Sequence, residues 1–289
     1  MKPSISLLVT DLDNTLWDWF GAWHASFSAM LTRLSELSEV PEEVLVDEIR
    51  EVHQRRGTTE YSLLLNELPS LLNKKTRTPP LEYYDDAIHI QNRQRILHTS
   101  LYPGVMGTLH GLKEKGVRIV AYTESVAYWS EWRIKATGLD GVIEVLYSAP
   151  DHDFPTGVST ETLRTKPASD YGLNKTTHNH VPAGIIKPNT QVLSSILASY
   201  ASDPHKSLYV GDSLMKDVSM AQKIGVHDAY ASYGTSIDKI GYDLLRRVSH
   251  WSNADIERER RLTNGLSVIP SHTLDQFSDI MNIFEFEAS

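Results

Sequence analysis

Leu7-Leu8-Val9-Thr10-Asp11-Leu12-Asp13-Asn14-Thr15-Leu16 is the stretch around which the rest of the chain is organised. An apolar run ending in two carboxylates reads as a buried parallel strand that delivers polar groups at its carboxyl end. Asp11 and Asp13 stand at i and i+2, so an extended backbone projects both to one face. Two carboxylates held that close repel unless a proton or a cation lies between them. The same residues also suit a capped turn, with Asp13, Asn14 or Thr15 opening the next element. Residues further along the chain bear on the choice.

The 289 residues suffice for one large domain or two smaller ones with a sizeable core, and 40% hydrophobic with 22% charged residues is ordinary for a globular protein. A formal net charge of -9 argues against nucleic acid or an anionic membrane as the main partner. With no cysteine, thiolate catalysis, disulfides and cysteine-zinc sites are excluded, and a reducing compartment is compatible. Met1-Lys2-Pro3-Ser4 runs straight into the first strand, with no room for a signal peptide, and no apolar run is long enough to span a bilayer. A cytoplasmic protein is the expectation. Nothing in the sequence sets its oligomeric state.

From Trp17 to about Ser100 the pattern is helical. Trp19, Trp23, Phe27, Met30, Leu31 and Leu34 recur at helical spacing as one apolar face. Pro41-Glu42-Glu43 opens a second helix, Tyr61 to Leu72 offers a third, and Leu81 to about Leu97 a fourth with Tyr84, Ile88 and Ile96 facing inward. The aromatic stripe reads as bundle core. Residues 17–100 therefore form a helical unit apart from 1–16 and 101–289.

From Leu101 strands and helices alternate. Val117 to Tyr122 is a strand running into Thr123-Glu124-Ser125, Val142 to Tyr147 another, Ser207 to Val210 a third ending in Gly211-Asp212-Ser213, and Asp228 to Ser232 a fourth. Asp151 to Gly184, with its prolines and glycines, reads as a long loop. Ser236 to about Leu262 adds helical sequence with Trp251 and the charged run Asp255 to Arg261, and Ser267 to Phe284 closes the core with a strand and a helix. This alternation implies an α/β fold with a mostly parallel sheet covered on both faces, which binds ligands at the carboxyl ends of its strands. Asp11, Asp13, Thr123 and Asp212 fall at such ends, and Lys187 precedes a helix. Each alone is readable as a cap or a surface charge. Together they form one constellation.

Asp11-Leu12-Asp13-Asn14-Thr15, Thr123, Lys187-Pro188 and Gly211-Asp212-Ser213 with Asp217 resemble, in order and spacing, the signature of the haloacid dehalogenase-like hydrolase superfamily. The resemblance covers the core from both ends, with a helical insert just after the first motif. It implies a Rossmann-like parallel sheet core and an inserted α-helical cap domain that closes over the site. It also implies a phosphatase acting on a small phosphorylated metabolite, in which Asp11 is the nucleophile that becomes an aspartyl phosphate. Asp13 would be the general acid and then the base. Mg2+ would sit on Asp11, Asp212 and the backbone carbonyl of Asp13, with Asp217 supporting its shell. Thr123 and Lys187 would bind the transferring phosphoryl. Members that cleave carbon-halogen bonds lack an acid where this chain has Asp13, which disfavours dehalogenation.

Many relatives carry asparagine where this chain has Glu124. A carboxylate beside a phosphate pocket is unfavourable unless it points away or meets a cation. The interval from Ser148 to Ile186 is long for the family, and its Asp151, His152, Asp153, His178 and His180 suit either a solvated loop or a second metal site. Arg55, Arg56 and Gly57-Thr58-Thr59 suit either a substrate-facing loop or a solvated helix end. Trp17 and Trp19 are placed to touch a leaving group. A phosphomutase or phosphotransferase of the same family and a non-catalytic phosphate-binding protein are the alternative functions. A phospho-receiver module fits less well, because its acceptor lies mid-domain.

Overall fold

The protein was described from a computed structural model covering residues 2–73, 77–151, 154–159, 164, 167, 170–252 and 268–288. The chain opens with two short strands, β1 (Ser4–Ile5) and β2 (Leu7–Thr10). The helices α1 (Trp19–Ser38), α2 (Glu42–Arg56), α3 (Pro69–Leu72), α4 (Pro80–Tyr83) and α5 (Asp85–His98) follow without an intervening strand. Then come α6 (Val105–Glu114), β3 (Arg118–Val126), α7 (Ala127–Ala136), β4 (Val145–Ala149), β5 (Thr177–His180) and α8 (Thr190–Ser199). The described chain closes with β6 (Ser207–Gly211), α9 (Ser219–Lys223), β7 (His227–Ala231), α10 (Tyr242–Val248), β8 (Thr273–Leu274), α11 (Ile280–Ile283) and β9 (Glu285–Phe286).

Seven strands form one parallel sheet in the order β5-β4-β3-β2-β6-β7-β8. All four residues of β2 are buried, as its unbroken apolar run requires of a strand covered on both faces. Thr10 pairs with Ala121 of β3 on one side and Val210 of β6 on the other. That register draws the carboxyl ends of three central strands to one edge. β1 and β9 pair separately as a two-stranded parallel ribbon. This is the Rossmann-like α/β core expected from the alternation. No described helix is long and apolar enough to cross a membrane.

Two apolar clusters cover the sheet, one on each face, around Leu8 with Leu208 and around Leu7 with Tyr209. A third belongs to the helices: Phe20, Trp23, Phe27, Met30 and Leu34 of α1 meet Leu45, Ile49 and Val52 of α2, Ala87 of α5 and Tyr84 just before it. It also takes in Tyr242, Leu245 and Val248 of α10 from far along the chain. Gly241, at φ +90°, turns the chain into α10, and a Cβ there would overlap the His24 ring.

The expected elements differ in several places. The interval after β4 is not all loop, because Thr177–His180 pairs along β4 as an edge strand. Tyr61 to Leu72 is a 3-10 turn at Leu64–Glu67 followed by α3, since Pro69 begins a new helix rather than continuing one. Ile96 is 65% exposed rather than inward-facing. His152, Asp153, the run Asp255 to Arg261 and Ser267 lie outside the described residues.

His53 of α2 donates from Nδ1 to the Val248 carbonyl at 2.6 Å, while its buried Nε2 has no partner among the described residues. Protonating Nε2 would bury a charged donor with nothing to accept it, and burial pushes the His53 imidazole down to about 4. The folded value lies below the unfolded one of about 6.5, so the associated stability is present above pH 6.5 and is lost as pH falls towards 4. Between pH 7.5 and 4.5 the loss is roughly 2–3 kcal/mol. Urea unfolding of wild type and His53→Gln at both pH values checks this: the wild type is expected to lose that much more than the variant. An equal loss in both would place the acid sensitivity elsewhere.

Candidate active site

Beyond Thr10 the β2 ladder continues by one bond, Asp11 N to the Val210 carbonyl at 2.8 Å, which fixes Asp11 at the sheet edge. Its carboxylate accepts from Lys187 Nζ at 2.6 Å, and the same ammonium donates to Asp217 at 2.9 Å. Lys187 is buried, with its Nζ 5.1 Å from the Tyr122 ring centroid and 5.6 Å from that of Tyr209. Burial alone would lower its pKa, but the Asp11 and Asp217 carboxylates outweigh burial and hold it well above the usual lysine range.

Asp212 follows β6 directly, and Asp217 lies in the π-type turn Leu214–Val218. The turn folds the Asp217 carboxylate back over Gly211, where a Cβ would collide with it, and Ser213 N donates to it at 3.1 Å. Asp11, Asp212 and Asp217 each offer a carboxylate oxygen within 4.8 Å of the others, the one such cluster among the described residues. Burial raises the Asp212 carboxyl well above the usual range, and Asp11 and Asp217 push it further. Burial likewise raises Asp11, against the pull of Lys187. Three carboxylates around one ammonium leave negative charge that a divalent cation would neutralise. An all-oxygen donor set of this kind fits Mg2+, which keeps several of its waters.

The carboxylate of Asp13 is not part of that cluster. It accepts from Trp17 Nε1 at 2.6 Å and lies 3.7 Å from Arg133 Nη1 of α7. Burial raises its pKa, opposed first by Arg133. Arg133 Nη2 in turn meets Glu60 at 2.5 Å, and Glu60 also accepts from Trp19 Nε1 on its carboxylate and from Trp129 Nε1 on its carbonyl. Trp17 is 1% exposed with its indole donor spent on Asp13, so it touches the acid, not an open pocket. Neither Arg133 nor Glu60 was expected from the sequence. Trp129 and Arg133 share a helix face at i and i+4, but their meeting with Glu60 spans dozens of residues and leaves no local signal.

Thr123 is buried in β3 and accepts on Oγ1 from Ser125 N at 3.1 Å, which leaves its hydroxyl proton to donate. Glu124 meets a cation: its carboxylate takes the Lys187 backbone N–H at 2.8 Å and Lys216 Nζ at 2.5 Å. Burial would raise its pKa, but Lys216 and Lys187 hold it below the usual range. It therefore stays ionised and anchors the backbone of the lysine whose side chain holds Asp11. Arg55 and Arg56 both pair with Glu67, which matches the helix-end reading. His178 is engaged at both nitrogens, by Ser148 Oγ at 2.7 Å and Glu131 at 2.8 Å, and Asp151 accepts from Tyr128 N. Those bonds tie the edge strand and α7 to β4 and supply no second metal cluster among the described residues.

A parallel sheet with this constellation at its edge is that of a haloacid dehalogenase-like hydrolase, and the chain belongs to that family, whose model matches residues 5–225. No curated protein sequence matches it. In structure it is similar to a Thermotoga maritima protein assigned as a beta-phosphoglucomutase, at 16% identity and TM-score 0.52 over 96% of this chain and 98% of that one. It is similar to a Bacillus subtilis protein assigned as a HAD-hydrolase and described as bound to magnesium, at 14% identity and TM-score 0.51 over 97% and 98%. A HAD phosphatase from Thermococcus onnurineus matches at 15% identity and TM-score 0.50 over 96% and 97%. At such identities the likeness is one of fold.

Proposed function

We propose that this protein is a Mg2+-dependent phosphatase that hydrolyses a small phosphate monoester through an aspartyl phosphate on Asp11. The observation that carries the reading is the division of labour among carboxylates. Asp11 sits with Asp212, Asp217 and Lys187, while Asp13 is held apart on Trp17 and Arg133. Burial raises both carboxyls; a cation held by Asp11, Asp212 and Asp217 would keep the nucleophile ionised, while Asp13, whose carboxylate lies outside that cluster, would keep its proton.

In the first step an Asp11 oxygen bonds to phosphorus as the bond to the leaving oxygen breaks, and Asp13 gives that oxygen its proton. In the second, Asp13 takes a proton from water, whose oxygen bonds to phosphorus as the bond to Asp11 breaks. The Thr123 hydroxyl and Lys187 stabilise the charge on the transferring phosphoryl. Trp17 and Arg133 orient Asp13, and Glu124 fixes the backbone of Lys187. Asp11, Asp212 and Asp217 would hold Mg2+, which lets a dianionic phosphate approach the carboxylates and withdraws charge from it.

Phosphate release from a panel of phosphorylated metabolites and aryl phosphates, with Mg2+ and with chelator, tests this reading. No release from any ester in Mg2+ would overturn it, and transfer to a sugar in place of water would make it a mutase. Metal removal gives a second, activity-independent readout. At Mg2+ about 100-fold above its Kd the native state should gain about 2.7 kcal/mol. For a chain of this length that raises Tm by roughly 5–10 °C over the chelated protein. In Asp212→Ala the shift is expected to vanish; an undiminished shift would move the metal elsewhere.

A further inference from the structure

A cavity of about 170 Å3 lies where α1, α2 and α5 meet α7, with Asp151 and Arg164 on its far side. Trp23, Phe27 and Trp129 give it apolar walls. Arg95 of α5 also lines it, only 9% exposed, with its guanidinium 4.2 Å from the Trp129 ring centroid and Nη1 on the Asn92 side-chain oxygen at 2.8 Å. No carboxylate of the described residues makes an ion pair with Arg95. The acid nearby, Glu60, is taken by Arg133. Two more donors of the lining, Trp23 Nε1 and Arg164 Nε, are buried without an acceptor among the described residues. Folds seldom bury donors unsatisfied, and a buried guanidinium that shares its nearest carboxylate with a second arginine is short of negative charge.

Size and shape narrow what would satisfy them. A cavity of about 150 Å3 accommodates one benzene ring. This one is slightly larger and walled by indole and phenyl rings, so it suits a ring-sized body carrying one more polar group. A guanidinium fork matches a carboxylate in the plane of both. Glu60 lines the cavity and pairs with Arg133, whose Nη1 lies 3.7 Å from Asp13, so one ion pair separates the cavity from the catalytic acid.

We infer that this cavity receives the non-reacting end of the substrate, and that this end is a small apolar or aromatic body bearing a carboxylate that Arg95 binds. The inference rests on the phosphatase reading, because it makes the occupant the leaving group that Asp13 protonates. The alternative is a staple, in which Arg95 merely pins α5 to Trp129.

The test compares kcat/KM for 4-carboxyphenyl phosphate and phenyl phosphate in the full chain with Mg2+. Wild type is expected to prefer the carboxylated ester by roughly 10- to 100-fold, the worth of a charge-assisted pair. The preference should fall towards unity in Arg95→Gln. It should fall likewise in Asn92→Asp, which keeps the guanidinium packed and gives it an internal carboxylate. Tryptophan fluorescence titration with 4-hydroxybenzoate, with phenol as neutral control, reads binding without turnover. Binding that weakens about tenfold or more in both variants supports the site. If hydroxybenzoate binds in that way but neither ester is hydrolysed, the anion site stands and the phosphatase reading has failed. Equal kcat/KM for the two esters in wild type, or hydroxybenzoate binding undiminished in both variants, would overturn the inference.

Discussion

Asp11→Asn is expected to reduce phosphate release to background while leaving a folded protein. The substitution keeps the shape at the end of β2 and removes the attacking oxygen's charge, so no aspartyl phosphate forms. Lys187 keeps Asp217 as a partner at 2.9 Å, and repulsion with Asp212 is relieved. The fold therefore has no new unpaired charge to carry. Asp13→Asn is expected to lose on the order of 10²- to 10⁴-fold in kcat, the usual worth of general acid-base help. An activated aryl phosphate, whose leaving group needs less protonation, should suffer less at the phosphorylation step. Circular dichroism and steady-state phosphate release on the two variants decide the matter, and wild-type-like turnover in Asp11→Asn would sink the mechanism.

The second large effect is on stability. Arg133→Met removes a guanidinium that is 4% exposed and leaves the Glu60 carboxylate, 8% exposed, with only the more distant Arg95 to offset it. Breaking one side of a buried pair typically costs about 3–5 kcal/mol, because the remaining charge stays desolvated. For this chain length that is a fall in Tm of roughly 6–20 °C. Adding Glu60→Gln to Arg133→Met should restore a large share, since the uncompensated charge has gone with its partner. The pH profile carries a second signature. Arg133 holds the Asp13 pKa down against burial, so its loss lets that pKa rise and moves the alkaline limb of kcat/KM to higher pH. Thermal melts of the single and double variants would refute the assignment if the double were no more stable than Arg133→Met alone.

Much of the fold was legible because its signals are local. The apolar run Leu7–Thr10, the alternation after Leu101 and the helical spacing of Trp19 to Leu34 each predict an element from adjacent residues. Parallel strands put their carboxyl ends at one edge, so Asp11, Thr123 and Asp212 could be brought together without coordinates. The parts that escaped are those without a local pattern. Thr177-His178-Asn179-His180 has neither alternation nor apolar content, and it is a strand because β4 offers a free edge to pair with. Glu60 with Arg133 and His53 with Val248 are contacts between distant segments, where no spacing rule applies. Glu124 posed a question that only its neighbours answer: Lys216 lies in the turn after β6 and meets it across the strand ends.

The docking of α10 bears on how the molecule can flex. Trp17 pairs with Leu101 in an antiparallel bridge, so the chain enters and leaves the run α1 to α5 at neighbouring points. α10 returns to these helices on the α2 side, with Leu245 and Val248 fully sunk into their apolar cluster. Rotation of α1 to α5 over the sheet must therefore carry α10 along and bend the chain near Gly241, or else part His53 from Val248 and wet two aliphatic side chains.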